Sequence, residues 1–194
     1  SVEEFFSAIE LMPDDTMIVI VGSSGFGGPL EDQVKTLCDQ SENIHWYGHL
    51  NDDQLLFTLW ENCGAYFHGH SVGGTNPALV QAMACGAPTI ARDTDYNREV
   101  LGSHAHFVQA DDTEIADTVL RLLSDKRQQE TLANEVRSRA AREYTWDNVC
   151  DSYLQIVHRG RVPSSSRWQW KKLALRERVC GNSAVFRSRN LREE

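Results

Sequence analysis

The sequence predicts an α/β protein built on an open parallel sheet with helices on both faces and a helical C-terminus. Three observations point there. Short apolar runs rich in β-branched and aromatic residues alternate with longer stretches of helical periodicity. The first run, Met17-Ile18-Val19-Ile20-Val21, has no polar alternation, as suits a strand covered on both faces. The connections between runs are short, which implies right-handed crossovers.

The elements follow in order. Val2, Phe5, Phe6 and Ile9 sit at helical spacing, and Pro13 closes that helix. After the strand Met17–Val21 comes glycine-rich 23–28, then a helix from about Leu30 to Asp39 carrying Val34, Leu37 and Cys38 on one face. Ile44–Tyr47 reads as the second strand, and Asp52–Glu61 as a helix with Leu55, Leu56, Leu59 and Trp60 inward. Ala65–His68 is the third strand, Pro77–Ala84 the next helix, and Pro88–Ala91 the fourth strand. A short helix over Asn97–Leu101 precedes the fifth strand, His106–Val108. From Glu114 the chain turns helical over 114–124, 126–144 and 147–158. In open parallel sheets ligands bind beyond the carboxyl ends of the strands, so the candidate loops are 22–29, 48–53, 69–76 and 92–97.

The chain has 194 residues and a net charge of −9, which conceals a split. Residues 1–158 hold 9 Lys and Arg against 25 Asp and Glu, whereas 159–194 hold 10 against 3. An acidic body is ill suited to gripping nucleic acid, so none is expected as a partner. The basic tail, with Trp168 and Trp170 among its lysines and arginines, suits either peripheral contact with an anionic membrane surface or a disordered, partly helical extension. No apolar run nears the roughly 20 residues that span a bilayer. The scattered Cys38, Cys63, Cys85, Cys150 and Cys180 form no CxxC pair, and a cytoplasmic location with reduced thiols is expected.

The most informative stretch is 68–88. It leaves a strand, passes Gly73 and Gly74, and enters a helix with Asn76 as N-cap and Pro77 in the first turn. Such a helix start carries partial positive charge and suits a phosphate, though a capped core helix after a tight loop has the same pattern. His68/His70 and His104/His106 are His-x-His pairs that a strand would place on one face, but neither has a third ligand, and no metal is expected. Cys85 reads as a buried small residue, and Ser71 lacks the GxSxG elbow of a hydrolase.

Gln81-Ala82-Met83-Ala84-Cys85-Gly86-Ala87-Pro88-Thr89-Ile90 resembles the Glu-Ala-Met-Ala-x-Gly-x-Pro-Val-Val signature of family 4 (group 1) retaining glycosyltransferases, which have the GT-B fold. Further likenesses fall in order: Met17–Gly22 with the "LVIVG" strand, Asn43–Gly48 with "VxFLG", 97–100 with "xxEVV" and 143–146 with "xxFSW". The loop HGHSVGGTNP at 68–77 resembles a subgroup of bacterial polysaccharide enzymes that includes rhamnosyltransferases.

The resemblance covers nearly all of 1–158 and implies a Rossmann-like nucleotide-sugar-binding domain, the C-terminal donor half of such an enzyme. It implies a UDP-, GDP- or dTDP-sugar substrate, no cofactor, and transfer of a hexose or deoxyhexose in polysaccharide or glycoconjugate synthesis. The acceptor domain and the donor domain's first strand are expected to be missing, leaving these residues alone inactive. Donor contacts carried over are Gly22, Ser23, Ser24 and Gly25 near the phosphates, and His49 and Leu50 near the base. His70, Ser71, Val72, Gly73, Gly74, Thr75, Asn76 and Ala78 belong to the phosphate and sugar loop and its helix start, and Glu99 meets the hexose. Gln81 stands where the family has a ribose-binding Glu, and Gly73 where it has a sugar-facing one. The alternatives are a GT-B sugar-nucleotide epimerase and a degenerate nucleotide-binding or interaction module.

Overall fold

The computed structural model describes residues 2–23, 25–159 and 183–188. Helix α1 (Val2–Glu10) leads into β1 (Thr16–Val21), α2 (Pro29–Gln40), β2 (Ile44–Trp46), α3 (Asp53–Glu61) and β3 (Ala65–His68). There follow α4 (Pro77–Cys85), β4 (Thr89–Arg92), α5 (Asp95–Leu101), β5 (His106–Val108), α6 (Asp112–Ser124), α7 (Lys126–Glu143) and α8 (Trp146–Arg159). A last strand, β6 (Ser183–Ser188), completes a sheet of order β2-β1-β6-β3-β4-β5.

The strands alternate faces with the period of two that a pleated backbone imposes. Ile18, Ile20, Ala65, Phe67 and Ile90 point to one side, where Phe5 and Phe6 of α1, Val34 and Leu37 of α2, and Ile115, Val119 and Leu122 of α6 cover them. Phe5 stacks on Phe67 with ring centres 4.9 Å apart. Val19, Tyr66 and Ala91 point to the other side, beneath Trp60 of α3, Leu79 and Met83 of α4, Val100 of α5 and Val136 of α7. Helices therefore lie on both faces, as expected, and the apolar run of β1 is buried on both.

The pairings β1–β2, β3–β4 and β4–β5 are parallel. The exception is β6, antiparallel to both β1 and β3 and seated between them. This corrects the expectation for the tail: 183–188, read as part of a disordered or partly helical extension, form a central strand. Nothing local in Ser-Ala-Val-Phe-Arg-Ser demands this, because the pairing partners lie more than a hundred residues away. The basic, tryptophan-containing stretch 160–182, on which the membrane-surface reading falls, lies outside the described residues. No helix among the described residues is long and apolar enough to cross a membrane.

Helix α4 ends at a glycine for a physical reason. Gly86 has φ +77°, its N–H bonds back to Met83 O, and Ala87 N reaches Ala82 O at 2.9 Å. This left-handed C-terminal turn is one that only glycine adopts without strain. A Cβ there would lie 2.4 Å from Arg137 Nη2, the group that donates to Cys85 O and ties α7 to the end of α4. Gly86→Ala is accordingly expected to destabilise the chain by about 1–2 kcal/mol. A urea titration checks this, and an unchanged midpoint would refute it.

Candidate functional site

The carboxyl ends of β1, β2, β3 and β4 open into four loops along one edge of the sheet. Two hydrogen-bonded ties join them in pairs. On the β1 side, Gly22 N donates to Gly48 O at 2.7 Å, and Trp46 Nε1 donates to Gly22 O at 2.8 Å. These bonds hold the loop that begins with Gly22, Ser23 and Gly25 against the loop of His49 and Leu50. Ser23 Oγ accepts from Gly25 N at 3.0 Å, closing a small turn. Ser24 lies outside the described residues.

On the β3 side, the tie is Asn97. Its Nδ2 donates to His70 O at 3.0 Å and to Arg92 O at 2.8 Å, with the residue only 4% exposed. One buried amide thus pins the loop after β3 to the end of β4. Asn97, which holds the loop in place, is a residue that the sequence pattern does not mark as part of the site. Its contacts reach back 27 and 5 residues along the chain, which no local pattern announces. Helix α5 itself starts earlier than expected, because Thr94 Oγ1 accepts from Asn97 N and caps it.

Between these ties lies Ser71–Thr75, fully on the surface. Gly73 takes φ +129° with open space where a Cβ would go, so conformation and not crowding selects glycine there. Asn76 caps α4 as expected, its Oδ1 accepting from Ala78 N at 3.0 Å. The cap sharpens the reading of the phosphate seat. Pro77 has no N–H, Ala78 N is taken by the cap, and Val80 N bonds to Asn76 O. An anion here would meet the partial charge of the helix end, the backbone N–H of Leu79 and the amides of the exposed loop. Gln81 lies one turn on and is exposed, so the helix presents it to solvent and does not bury it in the core. Glu99 is exposed on α5, its carbonyl held by Arg139 Nη2 at 2.9 Å.

Beneath the loop, Tyr66, His68 and His70 share one side of β3 and its extension. Tyr66 Oη lies 3.1 Å from His68 Nδ1, and the His68 and His70 rings stack at 4.8 Å. Burial pushes the His68 imidazole down to about 3, with His70 adding to the effect, and burial lowers His70 as well. His68 Nε2 and His70 Nδ1 are buried without a protein partner among the described residues. The rings are therefore neutral at pH 7 and stack as an uncharged pair. His104 instead meets Glu135 on α7, Nδ1 to Oε2 at 3.3 Å. No group of three His, Cys, Asp or Glu side chains converges among the described residues. Burial raises the Cys85 thiol, which suits a packing residue and not a thiolate nucleophile.

Arg98 is held by Asp93, Nη2 to Oδ2 at 2.8 Å, and lies 4.4 Å from the centre of the Phe107 ring. Arg92 Nη1 donates to Val108 O and Gln109 Oε1. Both cations brace the β4–β5 end of the sheet.

The family model described as glycosyl transferases group 1 matches residues 2–139. A phosphatidyl-myo-inositol mannosyltransferase of Mycobacterium leprae is 30% identical over 149 residues, covering 74% of this chain and 38% of the relative. Among solved structures, Anabaena HepE in complex with UDP-glucose superimposes with a TM-score of 0.67 at 18% identity, over 80% of this chain and 44% of that one. The C-terminal domain of a glycosyl transferase group 1 protein, LpcC of Francisella tularensis, gives a TM-score of 0.56 at 18% identity, over 74% of this chain and 79% of that one. The chain thus spans less than half the length of the mannosyltransferase and of HepE.

Proposed function

Since the chain belongs to the glycosyl transferases group 1 family, we propose that the edge formed by these loops holds the nucleotide-sugar donor of a sugar transfer. The observation that carries this reading is the convergence of four loops at one end of the sheet, tied pairwise through Gly22–Gly48 and through Asn97. In the proposed arrangement the diphosphate sits over the amides of 71–75 at the start of α4. The base lies towards His49 and Leu50, Gln81 faces the ribose, and Glu99 the sugar. Gly22, Ser23, Ser24 and Gly25 close the site from the β1 side. HepE's complex with UDP-glucose favours a nucleoside-diphosphate sugar as the ligand class.

The acceptor is held, on this reading, by a domain outside these 194 residues. The chain alone therefore turns over no donor, and the whole enzyme moves a hexose or deoxyhexose to an acceptor hydroxyl in polysaccharide or glycoconjugate synthesis. A second reading, a degenerate nucleotide-binding module, is favoured by one observation: a neutral Gln81 where the family carries Glu.

Titration of the chain with UDP, GDP, dTDP and their sugars by calorimetry tests the donor site. Saturable binding of at least one is expected, and none at millimolar concentration overturns the reading. Gln81→Glu separates the two readings. A carboxylate accepts charge-assisted bonds from a ribose diol that an amide accepts only weakly, so binding should tighten by about 1–2 kcal/mol, roughly 5- to 30-fold. Unchanged affinity would place Gln81 away from the ribose.

A further inference from the structure

The His68–His70 pair lies beneath the start of α4 as well as beneath the loop. β3 ends at His68 on the carboxyl edge, and α4 runs back from that edge with Leu79 and Met83 packed in one cluster with Tyr66. The ring centres step outward along that face, 5.9 Å from Tyr66 to His68 and 4.8 Å from His68 to His70. His70 therefore emerges on the α4 side, at the level of that helix's first turn. It is fixed from two directions. Its carbonyl accepts from Asn97 Nδ2 at 3.0 Å, and its ring lies on that of His68 within 20° of parallel. His70 is half-buried, and Nδ1 is its buried nitrogen without a partner among the described residues, which leaves Nε2 on the accessible side.

We propose that His70 is a side-chain donor to the diphosphate of the nucleotide-sugar, its Nε2–H turned outward at the start of α4, with His68 as the positioning residue beneath it. This contact rests on the donor reading of the same edge. A proton on Nδ1 would bury an N–H without an acceptor, whereas a proton on Nε2 lies where a ligand or water accepts it. Burial lowers both rings, and the positive end of α4 disfavours an imidazolium beside it, so His70 is an uncharged donor at pH 7. Phosphate oxygens only accept hydrogen bonds, so an outward N–H matches them and an outward lone pair would repel them. The helix start has use for such a donor, because Pro77 lacks an N–H and the Asn76 cap takes that of Ala78. His68, fully buried and held at 3.1 Å by Tyr66 Oη, is the floor that keeps the His70 ring from turning inward. A donor fixed before the ligand arrives needs no reordering as charge builds on the departing diphosphate.

The test uses the full chain, read by imidazole nitrogen NMR and by calorimetry. The probe is the tightest-binding of UDP, GDP and dTDP, with its nucleoside as control. At pH 7 His70 is expected as the uncharged Nε2–H tautomer, and the nucleotide should shift its Nε2 resonance while the nucleoside does not. His70→Phe keeps a flat ring on His68 but no donor, and should weaken the nucleotide tenfold or more while leaving the nucleoside within twofold. His70→Gln, whose amide donates, should recover most of that loss. His68→Leu should turn the single His70 tautomer into a mixture and weaken the nucleotide at least threefold, and the first change does not follow from lost stability alone. An Nδ1–H tautomer at His70, or equal nucleotide affinity in His70→Phe and the parent, overturns the proposal while the donor reading stands. A loss shared equally by nucleotide and nucleoside would move His70 to the base and overturn it too. An unaltered His70 tautomer and affinity in His68→Leu would remove the positioning role. If a variant fails to fold, the nucleotide-induced shift in the unmodified chain decides, and its absence overturns the contact. If none of the three nucleotides binds the unmodified chain, the donor reading itself falls and takes this contact with it.

Discussion

Asn97→Ala is expected to destabilise the chain by about 2–4 kcal/mol and to weaken nucleotide binding by an order of magnitude or more. The reason is that one buried amide serves two carbonyls, those of His70 and Arg92, from a position only 4% exposed. Deleting it leaves both oxygens without this donor where water enters poorly, and each such loss costs about 1–3 kcal/mol. The helix does not unravel for want of a cap. Thr94 Oγ1 accepts from the backbone N of residue 97, which alanine retains. The loss is therefore specific to the loop after β3. Asn97→Asp is expected to be worse than alanine, because a carboxylate facing two carbonyls is repelled as well as unpaired. Urea unfolding gives the first quantity and nucleotide calorimetry the second. Lowered stability with unaltered affinity would show that the 70–76 loop does not depend on this tie, and would move the donor contacts elsewhere.

Much of the frame was legible because local chemistry and tertiary demand agree. The strands Ala65–His68 and His106–Val108 begin and end where the apolar runs do. Helix α4 starts at Pro77 behind the Asn76 cap, and stops at Gly86, because those residues enforce their conformations without help. Where the structure differs from the expectation, a contact that the residue pattern does not announce, local in one case and distant in the other, decided the outcome. The start of α5 moved to Asp95 once the Thr94 hydroxyl acted as its cap. Strand β6 was illegible because its slot is made by β1 and β3, and six residues in a basic tail carry no sign of it. At the site, the residues of the glycine loop were readable and their ties were not. Asn97 looked like an ordinary helix position until its side chain met His70 O. The pair His68/His70 was visible as a spacing and suggested a same-face arrangement. The structure gives that pair a different use, a buried stack beneath the loop.

That stack makes acid the second strong lever on this protein. His68 is fully buried and its ring is pushed down to about 3, by burial first and then by His70. In the unfolded chain the same ring titrates near 6.5. Above the unfolded value both states are neutral and the stabilisation is fully present. Between 6.5 and about 3 the unfolded chain binds a proton that the folded chain refuses, so stability falls as pH falls. The slope approaches about 1.4 kcal/mol per pH unit, giving a loss of about 2 kcal/mol by pH 5. His70, also lowered by burial, acts in the same direction. The Asp93 carboxyl, held below its ordinary 3.8 by its hydrogen bond with Arg98, loses its contribution only at still lower pH. Unfolding midpoints between pH 7 and 5 therefore isolate the histidines. His68→Gln keeps a hydrogen-bonding group within reach of the Tyr66 hydroxyl but does not titrate, so it should flatten most of the slope even if it lowers stability at pH 7. An equal slope in His68→Gln and the parent chain would mean that His68 is not held neutral in the fold, and the stacked pair would lose its place beneath the loop.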